Sequence, residues 1–320
     1  MSIKEKDTRA ILITAFKKYA IVLVLLLLIG TLSVLSPQFF KLENLKNILR
    51  QISVVTIMSF GVTFIILTGG IDLGLGAYVA LASVISAKLA KAGHPVAYAL
   101  FAAIAVGIVC GMVNGSIIAI FRIPPFIVTL GMTQVARGVA LLISNGKPIS
   151  MLGDAYVFYG KGDFLGIPMP IIIMLIIFVL STVLLNFTRF GRYAKAIGGN
   201  ENAAKISGIN TGFYKFLVYT FSGFCCAIAS IVLTARIDSG QPGLAAGYEL
   251  DAIAASVIGG TSLSGGEGTL WGALIGSLII GSLNTGLNLL NVSSYWQQVC
   301  KGIIIVVAII LDERKNRVKA

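Results

Sequence analysis

Apolar residues in this chain come in long runs, and short stretches of glycine, proline and charge separate them. Several runs reach the ~17–20 residues a helix needs to cross the hydrocarbon core of a bilayer. The pattern predicts spans at about Tyr19–Leu35, Ile52–Thr68, Ala77–Ala90, Val96–Phe121 and Phe126–Ile143, then Ile171–Phe187, Phe216–Ala235, Tyr248–Ile258, Leu270–Leu290 and Tyr295–Leu311. Helix breakers stand between them. Pro37 ends the first span, GGIDLGLG (Gly69–Gly76) ends the second, Pro124-Pro125 follows the fourth, and GGTSLSGGEG (Gly259–Gly268) follows the eighth. The eighth is short and moderately polar.

Charge orients the spans. The N-terminus (KEKDTR, then Lys17 and Lys18), the loop 188–215 and the tail DERKNRVKA are basic, which places them on the cytoplasmic side. Six crossings before the loop agree with that. An even number must follow it, and the seventh, ninth and tenth spans make three. The region 245–260 must therefore cross as well, as a tilted or broken helix packed within protein, because irregular backbone at membrane depth must not face lipid. The nearly neutral segment 144–170 falls outside. The expectation is an all-α polytopic transmembrane bundle of about ten helices, with both termini cytoplasmic. It forms one integral membrane domain, 1–320, in the inner (plasma) membrane. The first run lacks a small-residue cleavage site before Ser36-Pro37, so it reads as a retained helix and not a signal peptide.

Composition agrees: 57% of the residues are hydrophobic and 12% charged, against about 45–50% and about 25% in soluble proteins. No room remains for a large soluble domain. The net charge of +12 reads as cytoplasmic loops, not as a nucleic-acid surface. Cys110, Cys225, Cys226 and Cys300 lie in apolar runs without a C-x-x-C pair, so neither a disulfide framework nor a zinc site is indicated.

The spans hold neutral polar groups and few ionisable ones. Gly107, Gly111 and Gly115, and Gly272 and Gly276, fit small-residue helix packing. Asn114, Gln134, Asn284, Asn288, Thr129, Thr133 and Ser83 either join helices or line an aqueous path, one suited to an uncharged polyhydroxylated solute. Asn284 and Asn288 are a helical turn apart and share a face. Asp72 either caps the helix that begins near Leu73 or belongs to the path. Asp72, Asn114, Gln134, Asn284 and Asn288 are the candidate translocation residues. Arg137 lies in the fifth span or snorkels from it. The single histidine, His94, sits in a Gly-His-Pro turn, and this scarcity of buried relays argues against ion coupling. There is no G-x-x-x-x-G-K-[ST], H-E-x-x-H or G-x-S-x-G. No catalytic residue, metal site or cofactor is expected, and any ATP must be hydrolysed by another chain.

Within the loop 188–215, Asn200 is a good N-cap, Glu201 suits the positive end of a helix dipole, and Gly208 is a natural stop. The short helix would place Ala203 and Ile206 on one side with Ala204 adjacent. It either receives another protein or lies on the anionic lipid leaflet.

Glu201-Asn202-Ala203-Ala204, three residues and Gly208-Ile209 resemble the E-x-A-A-x-x-x-G coupling sequence of ATP-binding-cassette (ABC) importer permeases. The runs ILTGGIDLGLGA, GRYAKAIGGNENAAKISGIN, QPGLAAGYELDAIAASVIGGTSLSGGEG and LNTGLNLLNVSSYWQ resemble the ribose-type sugar permease family over nearly the whole chain. The resemblance implies a permease working as two copies, with an ABC ATPase docked on the cytoplasmic face at Asn200, Glu201, Ala203, Ala204 and Gly208. An extracytoplasmic sugar-binding protein would deliver the monosaccharide, ribose first, and make most of the selection. The other readings are a stand-alone secondary carrier or channel for a small neutral solute, which would need a buried ionisable relay, and a membrane-embedded enzyme, which would need a convergent catalytic set.

Overall fold

The computed structural model describes residues 21–317. The expected start of the first span at Tyr19, the basic N-terminus and the last three residues lie outside them. The helices are α1 (Ile21–Leu35), α2 (Leu42–Leu67), α3 (Leu75–Lys91), α4 (Val96–Phe121), α5 (Pro125–Ser144), α6 (Asp154–Lys161) and α7 (Met169–Phe187). They continue as α8 (Arg189–Gly199), α9 (Glu201–Ile206), α10 (Thr211–Ile237), α11 (Tyr248–Ile258), α12 (Leu270–Leu289) and α13 (Ser294–Arg317). Six of the described helices, α2, α4, α5, α7, α10 and α12, are long and apolar enough to cross a membrane.

The second helix starts ten residues before the expected Ile52. Leu45, Ile48, Leu49 and Ile52 keep a helical spacing there, with Lys46 and Arg50 between them, so the early turns are amphipathic. Further on, every residue from Ile57 to Leu67 is buried. A helix apolar on all sides belongs at the centre of a bundle, and α2 packs there against α7, α10, α11 and α12. Two of its hydroxyls reach other helices, whereas Ser53 Oγ bonds the Leu49 carbonyl of α2 itself and Thr56 Oγ1 has no partner among the described residues. Thr63 Oγ1 and Ser256 Oγ of α11 lie 3.1 Å apart, and Ser59 Oγ and Ser277 Oγ of α12 lie 3.2 Å apart. The tenth helix begins at Thr211, five residues early, because Asn210 Oδ1 caps the amide of Phe213 at 3.0 Å.

The segment 144–170 is more ordered than a polar loop. Strand β1 (Ile149–Ser150) pairs antiparallel with β4 (Ser239–Gly240), and β2 (Asp163–Phe164) with β3 (Ile167–Pro168). Between them α6 rests on α10, and its Tyr156 hydroxyl lies 2.8 Å from Ser86 Oγ of α3. Residues 245–260 form an irregular approach and then the short helix α11, buried from Asp251 to Val257. The crossing expected of this region falls on a helix of 11 residues whose stretch Asp251–Val257 is packed within protein, while Ala246, Leu250 and Gly260 are exposed.

Candidate functional site

Two regions hold the residues singled out from the sequence. The first is the α8–α9 pair at one end of the bundle. Asn200 is extended (φ −163°) and its Oδ1 accepts from the amide of Ala203 at 2.9 Å. Gly208 closes the helix at φ +83°, a backbone that side chains rarely adopt, and the amide of Ile209 returns to the Ala204 carbonyl at 3.0 Å. Ala203 and Ile206 are exposed, the latter by 89%, whereas Ala204 is buried against the bundle. Glu201 bonds within its own chain. Its Oε2 accepts from Lys215 Nζ at 2.6 Å, and its Oε1 lies 3.0 Å from Lys205 Nζ and 3.2 Å from Thr211 Oγ1. A cleft of about 660 Å³ opens beside this network, between α9 and the Arg122–Pro125 link.

Burial alone would raise the Glu201 pKa, but the two lysines override it and hold the carboxyl at about 2. A depressed carboxylate stabilises the fold above its unfolded pKa of about 4.5 and loses that stabilisation as pH falls toward about 2. The pair is over a third exposed, so its worth is ~1 kcal/mol or less. Between pH 5 and 8 the melting temperature of Glu201→Gln is expected to lie a small, constant interval below the parent. The interval should shrink as pH falls below about 4.5 and close near about pH 2, as read by thermal unfolding in detergent. A gap that widens on acidification would contradict the assignment.

Helix α8 was not expected; the loop read as one polar stretch around a single short helix. Its signal is the buried face of Gly191, Ala194 and Ile197 in an otherwise basic segment. The end of α8 ties α9 to the bundle. Gly198 lies directly against the Leu67 carbonyl and the Gly266 amide, and that amide itself donates to Leu67 O at 3.0 Å. The coupling candidate therefore meets the end of α2 and the glycine loop 259–268 through backbone.

The second region is the set of polar residues within the spans, which the fold does not gather into one place. Asp72 is buried, and its Oδ1 accepts from the amide of Gly74 at 2.7 Å, with the Tyr78 hydroxyl 3.4 Å away. Asn114 Nδ2 donates to that hydroxyl, and Asn114 Oδ1 has no partner among the described residues. Asn284 lines a separate cavity of about 80 Å³ beside Gln51, Tyr248 and the Asp251–Lys301 ion pair (2.8 Å). Asn288 is exposed a turn away, and its Oδ1 accepts from Gln297 Nε2 at 2.8 Å. Gln134 is exposed on α5.

Arg137 and its neighbours on α5 have partners that helical spacing alone does not show. Thr129, Thr133 and Arg137 stand at i, i+4 and i+8 on one face. Thr129 Oγ1 accepts from the amide of Leu73 at 3.2 Å, and Thr133 Oγ1 donates to the Leu73 carbonyl at 3.1 Å. Arg137 Nη1 donates to the carbonyls of Pro242 and Leu244 at 2.8 and 3.0 Å. One helix thus supplies hydrogen bonds to two interrupted stretches of backbone, which is what non-helical chain at membrane depth needs. Lys301, isolated in an apolar run, carries the same kind of signal.

No solved structure matches the chain. The family profile described as branched-chain amino acid transport system / permease component matches residues 44–309. The ribose import permease protein RbsC of Bacillus subtilis (strain 168) is 48% identical over 91% of each chain. RbsC of Escherichia coli (strain K12) is 46% identical over 91% of this chain and 92% of its own. The L-arabinose ABC transporter permease protein AraH of Azospirillum brasilense is 35% identical over 94% and 89%. With its long apolar helices, the chain is a multi-pass membrane protein belonging to the branched-chain amino acid transport system / permease component family.

Proposed function

We propose that this chain is the permease subunit of an ABC importer and carries a monosaccharide, ribose first, inward across the inner membrane. The observation that supports it most is identity of 46–48% over nine-tenths of the length with proteins named ribose import permeases. The chain itself breaks no bonds. A separate cytoplasmic ATPase hydrolyses ATP, an extracytoplasmic sugar-binding protein delivers the substrate, and two copies of the permease enclose the path. The whole of 1–320 is one membrane domain of about ten crossings with both termini inside. Helices α1, α3, α11 and α13 complete the six long apolar spans.

In this reading the ATPase grips α9. Ala203 and Ile206 form the contact, while Asn200, Ala204 and Gly208 set the shape of the helix and seat it on the bundle. Glu201 locks α9 to Lys215 on α10, so displacement of the short helix pulls on a membrane helix. The Gly198–Leu67 contact passes the same displacement to α2 and the Asp72 break. Sugar moves past neutral groups, for which Asp72, Asn114, Gln134, Asn284 and Asn288 remain the candidate residues, with Gln134 and Asn288 the two already exposed.

Vesicles containing the chain, its ATPase and its binding protein should take up ribose only with ATP inside the ATPase compartment. Uptake by the chain alone, independent of ATP, would instead identify a stand-alone carrier or channel. Ile206→Asp puts a charge at the most exposed apolar contact of α9. Losing such a contact costs about 2 kcal/mol, roughly 30-fold in ATPase affinity. Binding of the ATPase to the variant at parental affinity would remove α9 from the docking surface.

A further inference from the structure

The chain between α10 and α11 runs beside α3 without forming a helix. Gly240 packs on Ser83 and Ala87 of α3, and Gly76, at the start of that helix, lies against the Ala245 carbonyl. Ser83 and Gly76 are about 10 Å apart along the helix axis, so residues 240–245 advance by that much beside α3. Arg137 gives an independent measure of depth. It sits seven residues before the end of α5 at Ser144, so it lies about 10 Å inside a helix roughly 30 Å long, the thickness of the hydrocarbon core.

Arg137 satisfies only part of this segment. Among the described residues, nothing accepts from the amides of Gly243, Ala245 and Ala246, and nothing donates to the carbonyls of Gly243 and Ala246. Gly243 and Ala246 are exposed. Ala245 is held at φ +55°, a left-handed conformation that is unfavourable for alanine and persists only where the surroundings enforce it. Unpaired peptide groups at this depth are not tolerated against lipid; they occur where they are buried in protein or line a water-filled cavity. Ala245 is buried in protein, whereas Gly243 and Ala246 are not.

We propose that residues 242–246 form a wall of the solute path, where the peptide groups of Gly243 and Ala246 exchange hydrogen bonds with the hydroxyls of a neutral saccharide, and that Arg137 is the positioning residue that holds this wall in place. The proposal rests on the sugar-import reading. Peptide N–H groups donate and carbonyls accept, and hydroxyls do both, so the match needs no side-chain charge. The same groups offer no tight grip, which suits a solute in transit.

Thiol labelling in the assembled transporter tests it, with ATPase and binding protein present. Cys110, Cys225 and Cys226 are buried, so a Cys300→Ser background leaves little reactive thiol. Gly243→Cys fits, since nothing lies within 4 Å of the added Cβ, and Ala246→Cys adds one atom at an exposed site. A thiol reacts as thiolate and needs water to ionise. Both variants should react with a charged methanethiosulfonate at least about tenfold faster than Ile176→Cys or Phe101→Cys on the exposed apolar faces of α7 and α4. Ribose supplied with ATP should slow that reaction severalfold. Labelling no faster than the two controls overturns the wall, and labelling indifferent to ribose overturns the saccharide contact. ATP-driven ribose uptake by the Cys300→Ser parent is measured alongside. Uptake with inert thiols at 243 and 246 defeats this inference alone, whereas absent uptake defeats the import reading.

Discussion

Gly111→Leu is expected to leave little folded protein. On α4, a Cβ at Gly111 overlaps the Tyr219 carbonyl of α10 and falls 3.0 Å from Thr220 Cα, and one at Gly107 overlaps the Gly223 carbonyl. The two helices therefore touch backbone to backbone. In lipid, helix association depends on such close packing, because the surrounding tails are as apolar as the side chains. A leucine cannot be absorbed by a rotamer change when the obstacle is a peptide group. The helices must part, at a cost above ~3 kcal/mol. Helix α10 also packs on α2, α3 and α6, so the separation would not stay local. Thermal unfolding in detergent with size-exclusion recovery measures this. A monodisperse Gly111→Leu protein melting within a few degrees of the parent would show that α4 and α10 do not meet this closely.

Arg137→Met should also be severe, for a different reason. Methionine keeps much of the stem and removes both donors, so the carbonyls of Pro242 and Leu244 lose their partners. Each unsatisfied buried group costs ~1–3 kcal/mol, or roughly 2–6 kcal/mol together. Arg137→Lys keeps a charge but presents a single ammonium in place of a planar fork, and should fall between. The ordering parent, lysine, methionine in melting temperature is the expected result. Equal melting of parent and methionine variant would mean that the descending backbone finds other partners and that the guanidinium does not hold it.

Much of this was legible in the sequence, for identifiable reasons. Helix α4 was placed to the residue because Pro95 and Arg122–Pro125 bound a single apolar run. The α9 helix was readable because its caps are local: Asn200 and Gly208 act within a few residues of themselves. The first half of α2 escaped because an amphipathic entry looks like a polar linker when only long apolar runs are sought. The translocation candidates fared differently. Asn284 and Asn288 are one turn apart in sequence, yet Asn284 faces an internal cavity and Asn288 is taken by Gln297. Which neighbour a polar side chain finds is a long-range fact, and helical spacing fixes only the direction it leaves the helix. The partners of Arg137, over a hundred residues away, belong to the same class.

The face formed by Thr129, Thr133 and Arg137 acts as a ruler. Eight residues of helix set a fixed distance of about 12 Å between the anchor on the Ile71–Leu73 break and the anchor on the Pro242–Leu244 segment. A stiff rod pinned at both marks cannot let one stretch of backbone shift without carrying the other. It also has a phase: one residue inserted between 133 and 137 would turn the arginine by about 100° and point it away from its carbonyls. The spacing of these three residues is therefore as constrained as their identities.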